Sequence, residues 1–250
     1  MDGAVWSLMG KIFFTSDEQV GQKVYITGQS AHHLLNVLRI QIGQDIVLCD
    51  GNSTDYTAKL MAINKPLSLV FEISNPRASE TEPPIPITLY QGLPKSGKME
   101  WIIEKCVEAG VSKIVPVYTS RSQVKVKDAA KKTERYARIA ESAASQCMRG
   151  IVPNIEHPLS LADAIAVSNL RGLCIVAYEK EHLHTIKSTL SATASKPVSL
   201  FIGPEGGFED FEITILKEKI SAITVRLGPR ILRTETAGVV ALTQILTLWE

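Results

Sequence analysis

No apolar run in the 250-residue chain approaches the roughly 20 residues that a membrane helix requires, so no spanning segment is spelled and a soluble protein is expected. Charge of one sign is not in excess either. Twenty-seven Lys and Arg stand against 26 Asp and Glu, and a net charge of +1 excludes bulk attraction to nucleic acid, leaving local patches as the only route to RNA. The four cysteines, Cys49, Cys106, Cys147 and Cys174, form no C-x-x-C pair, which excludes a zinc knuckle and a dithiol redox motif and fits reduced, mostly buried thiols. His32, His33, His157, His182 and His184 make no ligand constellation, so no metal is expected. The opening "MDGAVWSLMGKIFF" has an acidic second residue and no basic n-region, unlike a signal or transit peptide. Residues 1–8 read as an extension ahead of Met9, and the cytoplasm is the expected location. No internal repeat and no low-complexity tract is visible.

What is present is an ordinary globular balance, 45% hydrophobic and 21% charged, enough for one large domain or a small and a medium one. Composition changes once, at "SNPRASETEPPIP" (74–86), whose four prolines and polar residues read as a linker. The expected division is a first domain at 1–75, a linker at 76–86 and a second domain at 87–250. Before the linker, "KIFFT", "QKVYIT", "QDIVLCD", "DYTAKLMAI" and "LSLVFEI" recur at roughly ten-residue spacing with turn chemistry between them, predicting a small β-barrel or sandwich. "SAHHLLNVLRI" breaks this pattern with apolar residues at helical spacing after a Ser30 cap. After the linker, strands are predicted at 85–91, 113–118, 173–178, 198–203 and 223–227. Helices are predicted near 97–109, 128–149, 159–168, 209–219 and 234–248, with a left-handed cap at Gly110. This alternation predicts an α/β domain with a mainly parallel sheet.

Chemistry is expected at two strand-to-turn segments, "FIGPEGGF" (201–208) and "RLGPRILRTETAG" (226–238). Their glycines let backbone pass close to a ligand and open the φ > 0 region. Neither turn carries the Lys-Ser/Thr of a P-loop or G-x-G-x-x-G spacing, and Glu205 within the first would repel a phosphate. A ligand with adenine, ribose and a cationic centre suits such a turn better than a triphosphate.

"FIGPEGGF", "LGPRILRTETAGVVAL" and "KMEWIIEKCVEAGVSKIVPV", together with "HHLLNVLRI" read as an H-x-x-x-V-L-R segment, closely resemble the bacterial 16S ribosomal RNA uridine-N3 methyltransferases of the SPOUT superfamily. The blocks run from residue 32 to 242, nearly the whole chain. The resemblance implies an N-terminal PUA-like β-barrel followed by an α/β domain threaded into a deep trefoil knot. It also implies a homodimer, and S-adenosylmethionine held in the knot. By matching positions, Ile202, Gly203, Gly207, Leu227, Gly228, Ile231, Leu232 and Thr236 would line the cofactor pocket. The substrate implied is 16S rRNA within an assembled 30S subunit, with no membrane partner.

Two residues are the candidates for chemistry. Arg233 follows the second turn at a helix start, where the helix dipole disfavours a cation, so a substrate phosphate or the uracil losing its N3 proton is its expected contact. Glu205 is the candidate for the proton or the sulfonium, with fastening of its own loop as the alternative. Residues 121–149 carry eight basic residues against three acidic ones, on a helix with an apolar stripe of Tyr136, Ile139/Ala140, Ala143 and Cys147. With the resemblance, that face becomes a phosphate contact. Arg39, Lys95, Arg121 and Arg149 are the expected RNA-binding residues. The first domain, with five basic and seven acidic residues in 1–75, depends on specific residues rather than bulk charge. "MGKIFF" keeps only Lys11 where relatives carry an Arg-rich start, which puts an N-terminal RNA contact in doubt. The rival readings are another SPOUT activity, such as ribose 2′-O methylation, and a non-catalytic RNA-binding assembly factor.

Overall fold

The computed structural model describes residues 10–95, 97–124, 128–168, 172–190 and 196–249. Two of the expected basic residues, Lys125 and Lys127, and the N-terminal extension lie outside these. The chain divides into two compact units: residues 1–82 with 144–152, and residues 83–143 with 153–250.

The first unit is built on one six-stranded sheet in the order β1-β4-β5-β6-β3-β2. Its strands are β1 (Ile12–Phe13), β2 (Gln19–Val20), β3 (Lys23–Thr27), β4 (Asp45–Cys49), β5 (Thr54–Asn64) and β6 (Ser68–Ala78). All neighbours are antiparallel except β1 with β4. Val24 and Ile26 alternate inward on β3, and Leu69, Phe71 and Ile73 on β6, as a one-faced antiparallel sheet requires. They meet Leu34 from the helical insert in a single core. That insert starts earlier than expected. Helix α1 (Gly28–His32) has Thr27 as its N-cap residue, which places Ser30 inside it, and continues as a π-turn over His33–Val37. Leu34 is buried, whereas Val37 points to solvent.

The expected linker at 76–86 begins inside β6. Pro76 is tolerated there because the register slips between Asp55 and Thr57, so no ladder amide is needed at that point. A larger departure concerns 144–152, which belongs to the first unit. Lys11 N–H donates to Ser145 O (3.0 Å), Ser53 N–H to Gly150 O (3.0 Å) and Thr81 Oγ1 to Met148 O (2.7 Å). Lys11 is itself buried, its ammonium 2.8 Å from the Asp55 carboxylate and 2.7 Å from Ser79 Oγ. An N-terminal RNA contact through Lys11 is therefore excluded.

The second unit is an entirely parallel seven-stranded sheet in the order β10-β8-β7-β12-β11-β13, with β9 also on β8. The strands are β7 (Ile87–Gly92), β8 (Lys113–Tyr118), β9 (Asn154–Ile155), β10 (Leu159–Ser160), β11 (Leu173–Ala177), β12 (Val198–Ile202) and β13 (Ile223–Val225). The helices are α2 (Lys98–Glu108), α3 (Ala129–Gln146), α4 (Leu161–Val167), α5 (Ile186–Leu190), α6 (Asp210–Ile220) and α7 (Thr234–Leu246). All five predicted strands and all five predicted helices are present. β12 is buried along its whole length, the continuous apolar run of a strand covered on both faces. One face packs Phe201, Phe208, Ile213 and Leu216, with Tyr90 stacked on Phe201 at 4.4 Å between centroids. The other face receives α7, which also packs on α2. Gly110 closes α2 at φ 91°, as expected. Residues 159–160 pair with β8 rather than opening a helix, and the Ser160 hydroxyl caps α4 through Asp163 N–H. The short β9, β10 and α5 carry too little periodicity to be read from sequence.

Candidate active site

Because β11, β12 and β13 are parallel, the segments leaving them emerge at one end of the sheet, where open α/β sheets bind ligands. Three loops, 178–182, 203–207 and 226–233, together with the start of α7, enclose a cleft of about 630 Å³. The two glycine turns quoted from the sequence thus form one site. Seven of the eight expected cofactor residues line it: Ile202, Gly203, Gly207, Leu227, Gly228, Ile231 and Leu232. The eighth, Thr236, lies in the first turn of α7, off the lining. Thr234, two residues earlier, takes its place.

The cleft's walls are fastened by buried polar groups. Thr234 Oγ1 donates to Gly203 O (2.6 Å) and accepts from Gln91 Nε2 (2.9 Å), so a β7 side chain ties the first turn to the helix following the second. Both residues are buried. Gly203 is needed because a Cβ there would stand 3.0 Å from the Gly207 backbone. Gly207 combines φ 70° with the Glu179 carboxylate 3.1 Å from where its Cβ would be. Gly228, at φ 147°, faces open space, so its backbone conformation alone demands glycine.

Glu205 proves to be a fastener. Both carboxylate oxygens accept the Lys95 N–H (3.1 and 3.2 Å), and Lys98 Nζ lies 3.2 Å away. Lys98 also reaches Glu235 at 3.1 Å, joining the first turn to α7. Burial works to raise the Glu205 pKa, but its own amide, that of Lys95 and the Lys98 ammonium outweigh it and hold the carboxyl below the ordinary carboxylate range. A group so held is a poor proton acceptor. Glu181 is similarly committed: its carboxyl is lowered to about 2, chiefly by the Thr224 hydroxyl and then by the amides of residues 182–184.

The expected cation, Arg233, is the N-cap residue of α7, exposed and on the cleft wall, with no ion pair among the described residues. Arg226 and Arg230 share the lining. The remaining basic residues part company. Arg39 is exposed and held at φ 53°, a left-handed conformation unusual for an arginine. Lys95 is exposed, its amide on Glu205. Arg121 holds the loop from outside, with Nε and Nη2 on the Glu209 carboxylate (2.8 and 2.9 Å) and Nη1 on Gly206 O. Arg149 is the correction. It is 3% exposed, its Nη2 2.6 Å from Glu82, and Glu82 also accepts the Gly150 and Ile151 amides, so its charge is turned inward and away from any phosphate. On α3 Tyr136, Ala140 and Ala143 are buried and Ile139 half-buried, as expected, while Cys147 lies just past the helix end. The helix's basic face is partly neutralised, Arg135 by Glu100 and Arg138 by Glu134.

A cleft at the strand ends of a parallel sheet, closed by two glycine turns and rimmed by arginines, in a chain with a separate N-terminal sheet unit, fits an RNA methyltransferase. The family described as "RNA methyltransferase domain" matches residues 81–246, and "RNA methyltransferase PUA domain" matches 26–72. The chain belongs to this RNA methyltransferase family. It is 38% identical over 229 residues to ribosomal RNA small subunit methyltransferase E of Bacillus subtilis, covering 88% of each chain. It is 34% identical to the protein of the same name from Aquifex aeolicus, covering 93% of this chain and 97% of that one. Among solved structures, ribosomal RNA small subunit methyltransferase E from Neisseria gonorrhoeae, bound to S-adenosylmethionine, has a TM-score of 0.86 at 30% identity and covers 96% of this chain and 98% of its own. A methyltransferase from Legionella pneumophila, also with S-adenosylmethionine bound, has a TM-score of 0.85 at 30% identity with the same coverage.

Proposed function

We propose that this chain methylates N3 of a uridine in 16S rRNA, using S-adenosylmethionine, on the assembled small subunit. The observation that carries the reading is the joining of both glycine turns into one cleft, lined by seven of the eight residues assigned to the cofactor. The residues present fit that cofactor. Ile202, Leu227 and Leu232 offer apolar walls for a flat ring, and the turns approach through backbone. When bound, the cofactor supplies an electrophilic methyl group on sulfur.

The chain's own groups supply the rest. Uridine N3 attacks the methyl as its proton passes to water, leaving the cofactor as a neutral thioether, so the negative charge developing on the uracil needs a cation nearby. Arg233 is that cation, with Arg226 and Arg230 toward the flanking phosphates. Glu205, with both oxygens engaged and its pKa lowered, positions the turn rather than taking the proton. Arg39 and Lys95 carry the RNA contact, and Arg121 braces the 203–209 turn through Gly206 O and Glu209.

The working form is a cytoplasmic homodimer. Ile231 and Leu183, on two loops framing the cleft, are 87% and 82% exposed, the apolar surface that a second subunit would cover. The trefoil threading belongs to this reading as well. β13 lies at the sheet edge beyond β11, yet the next helix, α7, packs back on α2, β7 and β12, so residues 226–233 recross the sheet's end.

The test is mass spectrometry of 16S rRNA fragments from a strain lacking the gene. N3-methyluridine should disappear, and should return when purified protein and S-adenosylmethionine are added to 30S subunits. Its persistence, without a redundant enzyme, would refute the substrate. Return of a ribose methylation instead would move the reading to the sister chemistry.

A further inference from the structure

Glu179 is left over by everything above. It follows β11 and lines the cleft, and both its carboxylate oxygens sit over Gly207, 3.1 Å from where a Cβ on that residue would stand. Three acidic side chains line the cleft: Glu179, Glu181 and Glu205. Two of these are saturated. Glu181 accepts the Thr224 hydroxyl and three successive amides, and Glu205 accepts the Lys95 amide and pairs with Lys98. Glu179 has no hydrogen bond or ion pair among the described residues. Arg121, which senses its charge, is bidentate on Glu209. Glu179 is exposed at the cleft wall, so its carboxylate is open to a cationic ligand entering the cleft, while Glu181 and Glu205 are already engaged.

We infer that Glu179 receives the positively charged methionyl end of the cofactor and so sets the cleft's preference for a cationic ligand. This rests on the cleft being the cofactor site. The apolar residues Ile202, Leu227 and Leu232 suit the adenine, while the Gly207 turn, bare of side chain, lets the charged end come within reach of Glu179. Gly207 is required by its φ of 70°, and a side chain there would also push into the space in front of the Glu179 carboxylate.

Calorimetry on the full chain tests this with three probes: S-adenosylmethionine, S-adenosylhomocysteine, and 5′-methylthioadenosine, which lacks the amino acid and carries no charge. In Glu179→Gln, affinity for S-adenosylmethionine should fall about 10-fold or more, as for a lost close charge pair in a cleft, while that for 5′-methylthioadenosine stays unchanged. Glu179→Asp should recover part of the loss. If S-adenosylhomocysteine weakens equally, the ammonium is the bound cation; if it does not, the sulfonium is. Either supports the inference. Unchanged affinity for S-adenosylmethionine, or equal weakening of all three probes in a variant that melts like wild type, overturns it. Failure of the wild type to bind any of the three would instead overturn the cofactor reading of the cleft.

Discussion

Arg233 and Glu181 show how one residue's surroundings decide its use. Arg233 sits at a helix start with its charge unopposed by any described ion pair, so its placement is unfavourable locally and productive only toward an anion in the cleft. Arg233→Ala should lower kcat at least about 100-fold, the scale of one lost electrostatic contact to a developing anion, with cofactor affinity and melting temperature little changed. Single-turnover methylation of 30S subunits measures this, and near wild-type turnover would remove Arg233 from the chemistry. Glu181 works on the loop. Its pKa is depressed from 4.5 to about 2, so its folded form favours the charged state. The sign follows directly: the stability it contributes is complete above about 4.5 and is lost as pH falls toward 2. The stability difference between wild type and Glu181→Gln, followed by urea unfolding, should therefore be largest at neutral pH and shrink across that window. A difference independent of pH would mean that the carboxylate's charge is not what holds the loop.

At the scale of elements, the site exists because three parallel strands end together. The apolar runs 173–177 and 198–202 are legible as buried strands, and "GPEGG" and "LGPR" as turns. Neither says that the turns face each other. The joint is made by Thr234 at the start of α7 and Gln91 on β7, 143 residues apart in sequence. The resemblance pointed to Thr236, but the helical turn puts Thr234 on the lining and Thr236 off it. Thr234→Val, nearly equal in volume, should remove the hydroxyl bridge and leave Gln91 Nε2 with Gly92 O (3.0 Å) and only a long contact to the Gly203 carbonyl (3.5 Å). Stability should fall by about 1–3 kcal/mol, together with a weaker cofactor Kd by calorimetry. Loss of neither would show that the turns are positioned by packing alone.

For the whole molecule, the least legible feature was the return of 144–152 to the first unit. Eight basic residues in 121–149 read as one RNA-facing stretch, and Arg149 was placed in it. A charge count along a chain cannot separate a solvated guanidinium from one buried against Glu82, because the partner lies 67 residues away. Arg149→Ala should leave the Glu82 carboxylate with only the Gly150 and Ile151 amides and destabilise the protein by about 2–3 kcal/mol in urea unfolding. If stability held while RNA binding fell, the inward ion pair would not be the residue's role. The sequence alone determined the class of each unit, the strands and helices of the parallel sheet, and the two glycine turns. These are set by local periodicity and by the conformations that glycine alone permits. Only the tertiary structure decided that the turns close one cleft, that Glu205 and Arg121 fasten it, and that Arg149 and Lys11 face inward. Those outcomes depend on partners distant in sequence, whose meeting the order of strands alone arranges.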